Sequence, residues 1–188
     1  MRYFKYLLLA ALFVPLLQGC FPIIAAGAGA GAMMAGDRRT TGTYIEDEGI
    51  EDKAASQVAA KHKNVHVNIT SFNRHVLITG EAPSEEVKTD IARIVTGVQN
   101  VKAVSNELVV AGNSSLSART SDTAITADVK FRFLNNKVFD SNHVKVVTEA
   151  GTVFLMGLVY HKEADAAAEI ASTTGGVLRV VKVFEYLD

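Results

Sequence analysis

The sequence has no tryptophan, three prolines and a single cysteine among 188 residues. One cysteine excludes an intrachain disulfide, so the folded core must hold without that cross-link. Nineteen basic and 20 acidic residues leave a formal net charge of −1, which excludes the broad positive field that draws a protein to nucleic acid. No Walker, nucleophile-elbow or dinucleotide motif follows a suitable strand. The five histidines, His62, His66, His75, His143 and His161, show no paired ligand spacing, and no metal site is expected. His66 and His75 could approach one another across a hairpin, but without a cysteine or acidic partner they read as exposed strand residues. The acids from Glu46 to Asp52 read as a solvated helix start rather than as a general acid and base. The chain is therefore expected not to be an enzyme and to need no cofactor. Beyond the first twenty residues no apolar run reaches the ~20 residues of a membrane-spanning helix. What the composition does provide, 48% hydrophobic and 21% charged residues, is that of a globular protein.

The N-terminus carries the first positive signal. Arg2 and Lys5 precede the apolar run from Leu7 to Leu17, and Leu17-Gln18-Gly19-Cys20 follows. A basic start and a short apolar stretch have the layout of a secretory leader. Leu three before the cysteine and Gly directly before it resemble the bacterial lipobox. That resemblance implies a leader over 1–19, cleavage before Cys20, and diacylglyceryl and N-acyl groups (palmitate among them) on the new N-terminus. Several acyl chains anchor stably, where one binds only marginally.

Residues 21–36 are almost wholly small or apolar. Their alternating glycines lack the strand and the Lys-Ser/Thr of a phosphate loop. The stretch 20–45 reads as the acylated end and a Gly/Ala tether, with a Gly27-xxx-Gly31 helix contact as the minor alternative. Arg38-Arg39 could meet lipid headgroups or simply belong to a solvated linker.

The rest of the chain repeats itself once. Val76-Leu77-Ile78-Thr79-Gly80 matches Val153-Phe154-Leu155-Met156-Gly157 at a spacing of 77 residues. Asp90-Ile91-Ala92 matches Glu169-Ile170-Ala171, and Gly97-Val98 matches Gly176-Val177, both at 79. Two copies with this period are duplicated domains rather than a solenoid. In the first, a helix over 46–62 precedes the alternating strand Val65–Thr70, a turn at Asn73-Arg74, and the returning strand Val76–Thr79. Ser84 caps a second helix, which Gly97 stops, and Val98 to Val110 closes the unit. In the second, Ser121-Asp122 starts a helix to about Asn135, followed by strands at His143–Val146 and Val153–Gly157, a helix at Lys162–Ser172, and a strand at Val177–Leu187. The fold class is α+β: two tandem α-β-β-α-β units, 46–112 and 121–188, joined by a linker at 113–120. Each is a small three-stranded mixed sheet packed by two helices. Units this small bury modest cores, so the two copies are expected to touch.

The lipobox cysteine, the small-residue tether and the two units, each with a hairpin ending in Gly, resemble the dual-BON-domain outer-membrane lipoproteins. The stretch from Val146 to Val159 is especially similar. The resemblance implies a non-enzymatic protein on the inner leaflet of the outer membrane, facing the periplasm. It would bind anionic phospholipid through its second BON unit, support envelope integrity and be enriched at division sites. Phe21, rather than Asp, after the cysteine agrees with outer-membrane sorting. The alternative is an envelope protein-interaction or chaperone-like module without lipid recognition. Outer-membrane or envelope protein partners and the oligomeric state stay open.

In that family the lipid surface centres on the first helix of the second unit. On a helical wheel Ile125, Val129 and Phe133 face the sheet, while Ala124, Ala127, Phe131 and Leu134 form a second apolar face. Lys130 and Arg132 stand nearby to meet phosphate. The family's tryptophan corresponds to Ala124, so Phe131 is expected to take the wedge role. The competing expectation is that Phe131 and Leu134 pack against the first unit.

Overall fold

The structure, a computed structural model, describes residues 36–188. The expected leader, Cys20 and the Gly/Ala stretch to Ala35 lie outside the described residues. Two α-β-β-α-β domains follow one another. The first comprises α1 (Thr41–Lys61), β1 (His66–Phe72), β2 (His75–Ala82), α2 (Glu85–Thr96), β3 (Ala103–Asn106) and β4 (Val109–Val110). The second comprises α3 (Leu116–Leu134), β5 (Val144–Glu149), β6 (Thr152–Val159), α4 (His161–Ser172) and β7 (Arg179–Tyr186).

Each sheet is mixed. β2 lies centrally, antiparallel to β1 and parallel to β3 and β4. β6 likewise lies between antiparallel β5 and parallel β7. Alternation sets the two faces of the central strands. Val76 and Ile78 turn toward α1 and α2, where they meet Ile50, Ala54, Val58, Ile91 and Val95. Val153 and Leu155 turn toward α3 and α4, against Ile125, Val129, Phe133, Ala164 and Ala167. The alternate residues form a third core between the domains: Phe72 and Leu77 meet Phe154, Met156, Leu158 and Val183. Each sheet thus buries one face under its own helices and contributes its other face to the interdomain core.

The first helices begin five residues earlier than the pattern of apolar residues suggests. α1 starts after Thr40, whose hydroxyl accepts from the Thr43 N–H at 3.1 Å. α3 starts after Ser115, which accepts from the Ala118 N–H at 3.2 Å. Residues 41–45, expected in the tether, and 116–120, expected in the linker, are therefore helical. The acidic cluster does not lie in the first turn, and Asp47 is buried rather than solvated. Its carboxylate accepts from the Ser71 hydroxyl, the Asn73 and Arg74 N–H groups and Arg39. Glu51 accepts from the Ser71 N–H and from Lys145 of the second domain.

Arg38 and Arg39 are also committed inward. Arg38 makes a two-pronged contact with Glu163 at 2.6 and 2.8 Å and donates to the Leu158 carbonyl. Arg39 bonds Asp37 and Asp47 and lies 3.9 Å over the Phe72 ring. This segment is neither a headgroup contact nor a solvated linker. It fastens the start of α1 to both domains.

The repeat register past the hairpins differs from the sequence match. Ser84 and Tyr160 cap the second helices, so Pro83 is an extra residue in the first copy. The buried pair Ile91 and Val95 then corresponds to Ala167 and Ala171, and Lys102 N–H to Arg74 carbonyl corresponds to Leu178 N–H to Gly151 carbonyl. Ile91 does not match Ile170. The sequence match was off by three residues, close to one helical turn, which keeps the same face and preserves apolar periodicity.

Candidate functional site

α3 is held to its sheet by Ile125, Val129 and Phe133 on one side, with Phe139 set edge-on to Phe133 at 5.1 Å. Thr126 donates to the Thr148 hydroxyl at 2.7 Å, fixing the helix against β5. The opposite side carries Leu116, Thr120, Thr123, Ala124, Ala127, Phe131 and Leu134, all exposed. Leu116 is 81% exposed, Phe131 67% and Leu134 69%. None of the seven is charged. A helix with its core face satisfied and a second uncharged face in solvent is apolar beyond what its own domain uses. At a rise of about 1.5 Å per residue the stripe runs for roughly 25 Å, the geometry of a helix lying along a surface.

Of the residues expected here, Ala124, Ala127, Phe131 and Leu134 share this face, and exposed Lys130 stands at its edge. Phe131 and Leu134 do not pack against the first domain. Arg132 leaves the group: its guanidinium donates to the Ile170 carbonyl and the Thr174 and Thr173 hydroxyls at 2.7–3.0 Å. It ties α3 to the end of α4 and is not free to meet a phosphate. Leu116 and Thr120 were missed because the helix was expected to begin at Ser121. The signal was Ser115, an N-cap residue directly before a leucine.

A second cluster lies between the domains, and the sequence reading of His66 missed it. His66 and His75 stand at opposite ends of the β1–β2 ladder, where His66 pairs with Glu81 and His75 with Phe72. His66 does have acidic partners. Its Nδ1 is 2.9 Å from Glu81 Oε2 and 3.7 Å from Glu149 Oε1 of the second domain. Both glutamates are buried. Asn68 donates to Glu149 Oε2 at 2.8 Å, and the Ser114 N–H to Glu81 Oε2 at 3.0 Å. Burial opposes the ionisation of Glu81, but the Ser114 N–H and His66 outweigh it and hold the carboxyl below its ordinary value. For Glu149 burial prevails, and the charges of Glu81 and Asp122 add to it, so its carboxyl is pushed up. A cavity of about 320 Å³ opens beside the cluster, lined by His66, Asn68, Asp122, Thr126, Thr148 and Glu149. The sequence signal was weak, because the partners stand 15 and 83 positions from His66.

Of the other histidines, His62 bonds Asp90 at 2.8 Å, His75 Ser105 at 2.9 Å and His161 Asp188 at 2.7 Å, while the buried His143 Nδ1 makes no hydrogen bond among the described residues and lies 3.8 Å from Glu163 Oε1. Among the described residues no helix is long and apolar enough to cross a membrane.

Comparison with known proteins agrees with this architecture. The family model described as BON domain matches residues 46–112 and 121–188. The chain is 40% identical over 175 residues to a Haemophilus influenzae protein named outer membrane lipoprotein DolP, covering 92% of this chain and 91% of the other. It is 32% identical over 155 residues to a 21 kDa hemolysin of Actinobacillus pleuropneumoniae, covering 81% and 80%. It is 28% identical over 157 residues to osmotically-inducible protein Y of Escherichia coli, covering 80% and 78%.

Proposed function

The chain belongs to the BON-domain family, and from that premise we propose that it is a lipid-anchored outer-membrane protein. In this reading Cys20 is acylated, the domains face the periplasm from the inner leaflet, and α3 of the second domain binds anionic phospholipid. The protein helps to maintain outer-membrane integrity, with enrichment at division sites, and its role is not catalytic. The observation that carries the reading is the uncharged outer face of α3, with Phe131 and Leu134 each about two-thirds exposed. Inserting such a face into the headgroup boundary removes apolar area from water at about 25 cal/mol per Å². Lys130, at one edge, adds attraction to an anionic surface of about 1 kcal/mol, which exposed Asp128 at the other edge opposes. The lipobox at Leu17–Cys20 and the similarity to a protein named as an outer membrane lipoprotein support the anchor and the location.

Flotation of the unacylated chain beginning at Phe21 tests the reading. The chain should float with vesicles containing phosphatidylglycerol and stay behind with purely phosphatidylcholine vesicles. Equal flotation with both, or with neither, would overturn phospholipid recognition. If neither floats while the chain suppresses aggregation of an unfolded envelope protein, the interaction-module reading takes its place.

A further inference from the structure

We propose that His66, Glu81 and Glu149 form a divalent-metal site joining the first BON domain to the second, and that Zn²⁺ suits its donors best. This inference does not depend on lipid binding. The ligand atoms, His66 Nδ1 and one oxygen from each glutamate, all lie within 4.8 Å of one another. Zn–N and Zn–O bonds of about 2.0–2.2 Å place neighbouring tetrahedral ligands about 3.3–3.6 Å apart. The observed separations of 2.9 and 3.7 Å from His66 to the two glutamates bracket that edge. The two glutamate oxygens, no more than 4.8 Å apart, would close onto the ion by side-chain rotation.

Charge gives a second reason. Two buried carboxylates from different domains face one imidazole, with Asp122 also on the cavity wall. Arg119 lines the same cavity and bonds the Ser114 hydroxyl and carbonyl rather than either glutamate, so its charge offsets theirs only from a distance. Paired buried carboxylates repel unless a proton or a cation lies between them. A divalent ion would replace that repulsion with a bond from each domain. The outer supports are in place: Asn68 orients Glu149, and the Ser114 N–H orients Glu81. The cavity supplies an entry route and room for a water as fourth ligand.

The donor set points to the class of ion. One nitrogen and two carboxylates suit Zn²⁺ or a neighbouring first-row metal, whereas Ca²⁺ takes six to eight oxygens. The site would act as a clasp between domains, since His66 and Glu81 stand on β1 and β2 and Glu149 ends β5.

The test uses the full chain in detergent, with Cys20→Ser so that no thiol competes for metal. Zn²⁺ is titrated against a chromogenic chelator, and Ca²⁺ serves as the control ion. One equivalent of Zn²⁺ should bind and raise the melting temperature, with no response to Ca²⁺. Glu149→Gln, which keeps the shape and the Asn68 contact, should weaken Zn²⁺ binding at least tenfold without lowering the metal-free melting temperature. His66→Gln should weaken it by a similar factor. Absence of stoichiometric Zn²⁺ binding would overturn the proposal. So would wild-type affinity in Glu149→Gln, which would place the ion elsewhere, for instance at His161 and Asp188. Should His66→Gln fail to fold, Glu149→Gln decides alone.

Discussion

Asp47 and Asp122 occupy the same place in the two repeats. Each is the seventh residue of its domain's first helix, is buried, and accepts the two N–H groups of that domain's hairpin turn. Asp47 receives Asn73 and Arg74 at 2.8 and 2.7 Å, and Asp122 receives Ala150 and Gly151 at 2.9 and 2.8 Å. The turn residues all have positive φ, from 48° to 71°, as a two-residue type I′ hairpin requires. In each turn one residue, Arg74 or Ala150, disfavours that conformation, so the carboxylate helps to hold it.

Removing either carboxylate should therefore destabilise its domain. Asp47 also holds the Ser71 hydroxyl and Arg39, so Asp47→Ala leaves more groups unpaired than Asp122→Ala. We expect losses of about 3–5 kcal/mol and about 2 kcal/mol respectively, read from urea midpoints. Equal losses would show that the extra partners of Asp47 contribute nothing.

Gly80 and Gly157 are the second matched pair. A Cβ at Gly80 would stand 2.1 Å from the His66 carbonyl oxygen, and one at Gly157 2.3 Å from that of His143. Neither backbone oxygen can swing away as a side chain could. Gly80→Ala and Gly157→Ala should each cost about 2 kcal/mol or more, with Gly80 the worse because its φ is also +112°. Thermal melts of the two variants check the order.

The outer face of α3 makes a prediction separable from folding. Phe131→Ser should weaken binding to anionic vesicles about tenfold, which is part of the about 2 kcal/mol available from burying one phenyl ring. Stability should change by no more than about 0.5 kcal/mol, because the ring touches little in the free protein. Leu116→Ser, about five turns of helix upstream of Leu134 on the same stripe, should act in the same direction. Unchanged vesicle binding in both variants would exclude this face.

Acid should loosen the fastening of the N-terminal segment. Burial opposes ionisation of Glu163, but the two-pronged Arg38 contact and the Tyr160 N–H prevail and hold its carboxyl below the ordinary value. A depressed carboxyl contributes stability that is complete above its unfolded pKa and is lost as pH falls through the folded one. The melting temperature should therefore fall as pH drops from about 5 toward 3. Arg38→Gln should flatten that limb while lowering the plateau at neutral pH. A limb of unchanged steepness would show that other carboxylates carry the acid response.

The architecture was legible because each element obeyed its own period. Val76, Ile78, Val153 and Leu155 alternate, and Ile125, Val129 and Phe133 recur at helical spacing, so the two units and their core faces could be read directly. The starts of α1 and α3 were not legible, since Thr41–Ile45 and Leu116–Thr120 carry no inward apolar stripe and only their caps announce them. Arg38, Arg39 and Asp47 were misread as surface charge because a buried ion pair is defined by a partner that folding brings near. The His66 cluster failed for the same reason: Glu149 reaches it only when two separate domains meet. The exposed position of Phe131 was legible, because an apolar residue on the face opposite a satisfied core is visible from one helix alone.

The clamp of Arg38 on Glu163 and of Arg39 on Asp47 also sets a leash. Between Cys20 and Gly36 lie sixteen peptide links. Even drawn straight, at about 3.5 Å each, they reach no farther than about 55 Å. Were Cys20 held in a leaflet as proposed, Gly36 could stand no farther than that from the membrane. There the local supply of headgroups is high enough that a helix with weak intrinsic affinity would still be seated for much of the time.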